Sequence, residues 1–218
     1  MSASQVVVAE PTLSALELLR SRRSVRSYDP SHIIPREELA EILKLAALAP
    51  SSSNMQHWRF LVIDTPELKE QLLPIANNQQ QIVQASAVIA ILGDKEGYRN
   101  AETIYNRAAG AGYMPEDTAQ SFISRTVSAY SKLPPEKARE VAIIDASLAA
   151  MQLMLAARAK GYDTVPMGGY DSAKFAEAFG IPDRYVPVML LPIGKAAKPG
   201  HPTVRLTVDE VTFWNRIS

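Results

Sequence analysis

The 218-residue chain has no cysteine, and histidine is nearly as scarce, at three. Without a thiol there is no disulfide, thiolate metal site, iron–sulfur cluster or cysteine nucleophile. His32, His57 and His201 never fall three or four residues apart, so helical two-histidine metal spacing is absent and no metal site is expected. An excess of one charge is missing too. The 23 Lys and Arg balance 23 Asp and Glu, which argues against wholesale nucleic-acid or anionic-membrane binding. The longest apolar stretch, 141–157, is interrupted by Asp145, Ser147 and Gln152 and falls short of the roughly 20 apolar residues a bilayer needs. It reads as a buried helix, and the run Val6–Ala9 is too short for a signal-peptide core. We therefore expect a cytoplasmic protein with no membrane and no nucleic-acid partner. Familiar catalytic motifs are also missing: no GxxxxGK[ST], no GxGxxG after a strand, no GxSxG. An enzyme this poor in nucleophiles and bases would draw its chemistry from a cofactor.

What is present reads as a single α+β domain over 1–218, with helices outnumbering scattered strands. Residues 11–20 pattern as an amphipathic helix, and Pro35 opens a second with an acidic first turn, ending at Pro50. Strands are expected at 58–63, 87–92 and 185–193, with Pro187 and Pro192 placing the ends of the last at a sheet margin. A short helix should open at Pro66 and run to about Leu73. Residues 98–131 read as helical pieces around a mobile connection. A long helix should run from Pro134–Glu136 to Lys160 and stop at Gly161. Thr164 and Val165 suggest a short strand, and Asp171 or Ser172 caps a helix ending at Gly180. The tail 208–217 reads as a helix or an arm. From 146 to 157 the long helix is apolar nearly all round, so it must be covered on every side, by a domain core or by a dimer interface.

Three clusters could carry chemistry. Arg20, Arg22, Arg23 and Arg26 fall within seven residues, with Ser24 among them; guanidinium forks and a hydroxyl suit a phosphate, or the run is a solvated basic turn. Pro50–Trp58 is a run of hydroxyls and amides that could meet a polar ring edge or a phosphate, or form an ordinary turn. Pro166-Met167-Gly168-Gly169 would let a ligand approach the backbone closely, or is a plain glycine turn.

In order and spacing these clusters resemble the nitroreductase family of flavin enzymes. Arg22-Arg23-Ser24-Val25-Arg26-Ser27-Tyr28-Asp29 matches its R-R-S-x-R-x-Y/F-x motif. Ala49–Trp58 matches A-P-S-S-x-N-x-Q-x-W, and Val165–Asp171 matches V-P-x-x-G-[YF]-[DN]. Ile193-Gly194-Lys195, Arg205 and Asp209-Glu210 match the final element, and the likeness spans residues 12–212.

The resemblance implies an α+β nitroreductase-like fold, a central mixed sheet flanked by helices, and an interlocked homodimer with two FMN molecules at its interface. It implies that Arg22, Arg23, Ser24 and Arg26 hold the FMN phosphate and pyrimidine side. Pro50, Ser51, Ser52 and Asn54 would reach the flavin from the other subunit. Asn78 and Gln81 would bond the ring, and Pro166, Met167, Gly168 and Gly169 would lie beside it. Arg205 and Lys195 would complete the phosphate site. Many relatives have lysine at the Gln81 position, which shifts the charge near the pyrimidine edge to Arg26. Some have glutamate at the Gly168 position, where only a backbone N–H remains to meet N5. No side chain is expected to be catalytic in its own right. NAD(P)H would be the co-substrate, and a nitroaromatic, quinone or similar small molecule the acceptor, by ping-pong hydride transfer. Residues 98–131 would cover the open face, with Tyr105, Tyr113 and Phe122 as candidates to stack on substrate or simply to pack. The alternatives are a specialised reaction of the family, such as dehalogenation, flavin breakdown or enone reduction, and a flavin-binding sensor or store without turnover.

Overall fold

The structure is a computed structural model and describes residues 13–217, so Val6–Ala9 and the expected helix start at 11–12 lie outside the described residues. Helix α1 spans Ala15–Ser21 and opens on a reciprocal capping box. The Ser14 amide donates to Glu17 Oε2 at 2.8 Å and the Glu17 amide to Ser14 Oγ at 3.3 Å. Helix α2 is Arg36–Ala46, a few residues shorter than its pattern suggested, with Glu37 and Glu38 in its first turn. Then come β1 (Trp58–Ile63), α3 (Pro66–Ile75), α4 (Gln81–Gln84) and β2 (Ala87–Asp94). The stretch 98–131, expected as helical pieces around a mobile connection, is a helical hairpin, α5 (Ala101–Gly110) and α6 (Glu116–Tyr130), turned at Gly112 with φ +76°. Helix α7 (Pro135–Ala159) starts on a proline and ends at Gly161, also left-handed at φ +76°. The described chain finishes with β3 (Asp163–Thr164), α8 (Ser172–Ala178), β4 (Tyr185–Gly194) and α9 (Val208–Val211).

Among the described residues the strands form one sheet in the order β1-β2-β4-β3, and every strand pair is antiparallel. The parallel element of the expected mixed sheet is confined to an isolated bridge, Ser24 to Thr164. Strand β4 is interior by order, but β3 pairs only with its Ile193–Gly194 end. The Pro187 end thus has β2 as its one strand partner among the described residues, in keeping with the expected margin, while Pro192 lies inside the sheet. Its prolines are tolerated for two reasons. Beyond β2 it meets only the two-residue β3 and a bridge from Met167 to Leu190, and Pro187 sits beside the register shift between Ile91 and Leu92.

Strand β2 is buried along its whole length and sorts its side chains by period two. Ile89 and Ile91 face α2 and α7, packing with Ala146, Ala149, Ala150 and Leu153. Val88, Ala90 and Leu92 share the other core with Leu72, Ile82 and Phe175. The alanines let α7 lie close to the sheet, and Gly93 is needed there: a Cβ would come within 2.8 Å of the Ala142 carbonyl oxygen. By length and composition α7 could cross a membrane, but half of its most apolar window is buried inside the fold, as expected of a core helix. One stripe is not covered. Ile144, Leu148 and Met151 are exposed along a helical face, next to the exposed Leu45 and Leu48 at the end of α2.

Candidate functional site

The sequence-predicted residues fall into two groups on the fold. The first gathers where α1 runs into the sheet. The Val25 amide donates to the Thr164 carbonyl at 3.1 Å, so the Arg22–Arg26 segment lies against β3. From β3 the chain continues directly into Pro166–Gly169, which Met167 anchors by exchanging backbone bonds with Leu190 at 2.8 and 3.0 Å. Facing this segment is the turn between α3 and α4. Asn77 and Asn78 hold φ +56° there, the left-handed conformation that asparagine tolerates. Asn77 Nδ2 and Gln79 Nε2 both donate to the Gly169 carbonyl, at 2.9 and 3.0 Å. The buried Gln81 amide donates to Gln79 Oε1 at 3.0 Å and approaches Met167 Sδ at 3.7 Å. Asn78 itself is exposed and contributes a backbone bond to Leu73. At Gly168 the space where a Cβ would stand is open, so the backbone is free to be approached. Burial pushes the neighbouring Tyr170 phenol up to about 12, which keeps it protonated at neutral pH.

Three of the basic residues make bonds within the chain. Arg23 folds back on α1, donating to the Arg20 and Arg22 carbonyls at 2.6 and 2.9 Å, and so satisfies backbone acceptors at the helix end. Lys195 donates to the Gly161 carbonyl at 2.9 Å and lies 4.7 Å from the Tyr162 ring centre, where it closes the end of α7. Arg205 is on the exposed tail and donates to its own neighbour Val204. Arg22 is half-buried and Arg26 exposed; neither belongs to an ion pair among the described residues.

The second group is the Pro50–Gln56 loop, anchored near the middle of α7 at Asp145. Ser53, Asn54 and Gln56 adopt φ of 49°, 58° and 53°. Left-handed backbone at a residue other than glycine costs on the order of 1 kcal/mol each and persists only where the surroundings enforce it. They do so here. The Ser52 amide donates to both Asp145 oxygens at 3.1 and 3.0 Å, and Ser52 Oγ to Oδ1 at 3.0 Å. Asp145 also meets His57 Nδ1 at 2.6 Å, both side chains being almost fully buried. The Gln56 amide donates to Ser51 Oγ at 3.0 Å. Tyr105 from α5 donates to the Ser53 carbonyl at 2.9 Å, and Tyr130 from α6 shares a bond with Ser53 Oγ at 3.0 Å. The helical hairpin is thus hung on the loop by two phenols. Tyr105 and Phe122 pack together with ring centres 5.5 Å apart, while Tyr113 stands exposed at the hairpin turn.

Asp145 and His57 went unassigned in the sequence because they are 88 residues apart. The available signal was the lone carboxylate inside an otherwise apolar helix, since a buried acid needs a partner. Among the described residues no cluster of three or more potential metal ligands occurs.

The Nitroreductase family model matches residues 19–195. A Bacillus subtilis protein named "Putative NAD(P)H nitroreductase YdgI" is 50% identical over 91% of this chain and 96% of its own. The CLA biosynthesis enone reductase of Lactiplantibacillus plantarum is 37% identical over 86% of this chain and 88% of its own. Among solved structures, a nitroreductase from Exiguobacterium sibiricum in complex with FMN superposes with a TM-score of 0.91 at 46% identity, covering 94% of this chain and 99% of that one. The chain belongs to the nitroreductase family.

Proposed function

We propose that the protein is an FMN-containing oxidoreductase that takes reducing equivalents from NAD(P)H and passes them to nitroaromatics, quinones or similar acceptors. Bound FMN would supply the hydride chemistry that the chain's own side chains lack. The observation that carries this reading is the wall formed by Ser24, Gln81 and Pro166–Gly169, with open space over Gly168. Hydroxyl and amide groups here suit the polar edge of a flat ring, and the Gly168 backbone leaves room for its face. Among the described residues the side chains of Arg20, Arg22 and Arg26 form no ion pair, and Arg22 and Arg26 are the motif arginines left to meet a phosphate and the negative charge that reduction adds; Arg23 and Lys195 also bond the α1 and α7 ends. The Gly168 N–H would orient the ring, and the hairpin α5–α6, carried on the Ser53 loop, would shield the ring of the partner subunit from water.

The second group of residues is anchored near the middle of α7, apart from the β3 end that carries the first, which fits a homodimer in which Pro50, Ser51, Ser52 and Asn54 of one subunit complete the site of the other. The uncovered stripe of Ile144, Leu148 and Met151 supplies an apolar seam, and the exposed Phe213 and Trp214 of the tail supply an arm to wrap the partner. Arg205, carried on that arm, would then serve a phosphate away from its own α1. The enone reductase relative favours one further acceptor class, α,β-unsaturated ketones.

The purified protein is expected to bind FMN, to elute at twice its 23.9 kDa chain mass and to consume NAD(P)H beyond one equivalent per flavin, in the absence of oxygen, only when an acceptor is added. FMN binding without turnover on any acceptor would instead mark a flavin-binding sensor or store.

A further inference from the structure

A cavity of about 320 Å³ opens between the Ser53 loop and the hairpin α5–α6. Tyr105, Phe122 and Tyr130 line it, and Ser53 and Thr126 add hydroxyls. Phe122, Arg125 and Ala129 all line it, at the spacing that brings residues onto one face of a helix. Among the described residues Arg125 is the one charged side chain of the lining, and no carboxylate faces it there. It belongs to no ion pair among the described residues. A guanidinium without a counter-ion in an aromatic-lined cavity is a receptor for a flat molecule bearing an anion. The rings offer stacking faces, and the fork offers a bidentate site for a carboxylate or sulfonate.

We propose that Arg125 selects acceptors that are planar and anionic, aromatic carboxylates and sulfonated quinones among them, over their neutral counterparts. The inference rests on the oxidoreductase reading above, because the same Ser53 loop that frames the cavity is the one assigned to the cofactor. The floor of the cavity is held by the Tyr105 and Tyr130 bonds to Ser53, so acceptor and cofactor would be positioned by one rigid segment. Arg125 is exposed and lies on the surface of α6, so its replacement removes a charge without disturbing the core.

The test uses the FMN-loaded protein and two matched acceptor pairs: 4-nitrobenzoate with its methyl ester, and 1,4-naphthoquinone-2-sulfonate with the unsulfonated quinone. Wild type should show a higher kcat/KM for the anionic member of each pair. Arg125→Gln should reduce the anionic-to-neutral ratio by about tenfold, mostly through KM, and Arg125→Lys should restore part of it. Calorimetric titration of 4-nitrobenzoate into the oxidised protein gives a readout independent of turnover, and the same variant should weaken it. A ratio unchanged by Arg125→Gln, in a protein that still reduces its flavin and turns over, overturns this inference alone. A protein that binds no FMN overturns the oxidoreductase reading with it. The phosphate of a nucleotide is the other anion the fork could hold. If Arg125→Gln slows flavin reduction by NADPH but not by NADH and leaves the acceptor ratio intact, Arg125 serves the nucleotide and the acceptor assignment fails.

Discussion

The Asp145 carboxylate and the His57 imidazole meet at 2.6 Å, with 1% and 2% of their side chains exposed. The same carboxylate accepts the Ser52 amide and hydroxyl, so one residue of α7 ties down a loop whose backbone is left-handed at three positions other than glycine. Removing the acceptor strands the half-buried Ser52 amide and hydroxyl and the buried His57 Nδ1, and frees the loop. Asp145→Ala should therefore cost about 2 to 4 kcal/mol in urea unfolding and weaken FMN binding by at least tenfold. Loss of stability with FMN affinity intact would separate the pair from the site.

Gly97 packs flat against the His57 ring, and a Cβ there would stand 2.3 Å from Cδ2. The ring is held by Asp145 and cannot move aside. Gly97→Ala should destabilise by about 1 to 3 kcal/mol. Gly110→Ala at the end of α5, where a Cβ meets nothing within 4 Å, should be neutral or gain up to about 1 kcal/mol. Thermal melts of the two variants should shift in opposite senses.

Arg26 and Lys195 should respond in opposite ways to truncation. Lys195 is spent on the Gly161 carbonyl and the Tyr162 ring, so Lys195→Met should lower the melting temperature more than the FMN affinity. Arg26→Ala should leave the melt of the FMN-free protein in place and weaken FMN binding by about tenfold or more, read by flavin fluorescence quenching.

The Arg36 guanidinium bonds Asp64 through two nitrogens, at 2.7 and 3.1 Å, and these bonds hold the Asp64 carboxyl below its ordinary value of 3.8. A depressed carboxylate stabilises the fold above its unfolded-state value and loses that contribution as pH falls through the folded one. Asp64→Asn should thus be slightly less stable than wild type at pH 7, and the gap should close below pH 3.8. Because Arg36 is 78% exposed, the gap should be far smaller than that of Asp145→Ala.

The strands and the long helix were legible in the sequence because local signals carried them. A continuous apolar run marked β2, and Pro135 and Gly161 bracketed α7. The two helices of 98–131 were legible as pieces around a connection, but their packing into a hairpin was not. What orders the hairpin is a pair of tertiary bonds from Tyr105 and Tyr130 to Ser53, at sequence separations of 52 and 77. The same limit applied to basic residues. The Arg22–Arg26 cluster was visible as charge, but only the fold shows that Arg23 turns back onto α1 and that Lys195 caps α7. The motif residues of Pro50–Trp58 were found, while the Asp145 that holds them was read only as an interruption of an apolar run.

The central claim is that this scaffold lends its chemistry to a bound flavin fed by NAD(P)H. Anaerobic stopped-flow mixing of the FMN-loaded protein with NADH and with NADPH, followed by a nitroaromatic or quinone, tests it most directly. The account predicts that the flavin absorbance bleaches with at least one nucleotide and returns when the acceptor is added. A protein that takes up no FMN, or whose flavin stays oxidised with both nucleotides, would contradict it.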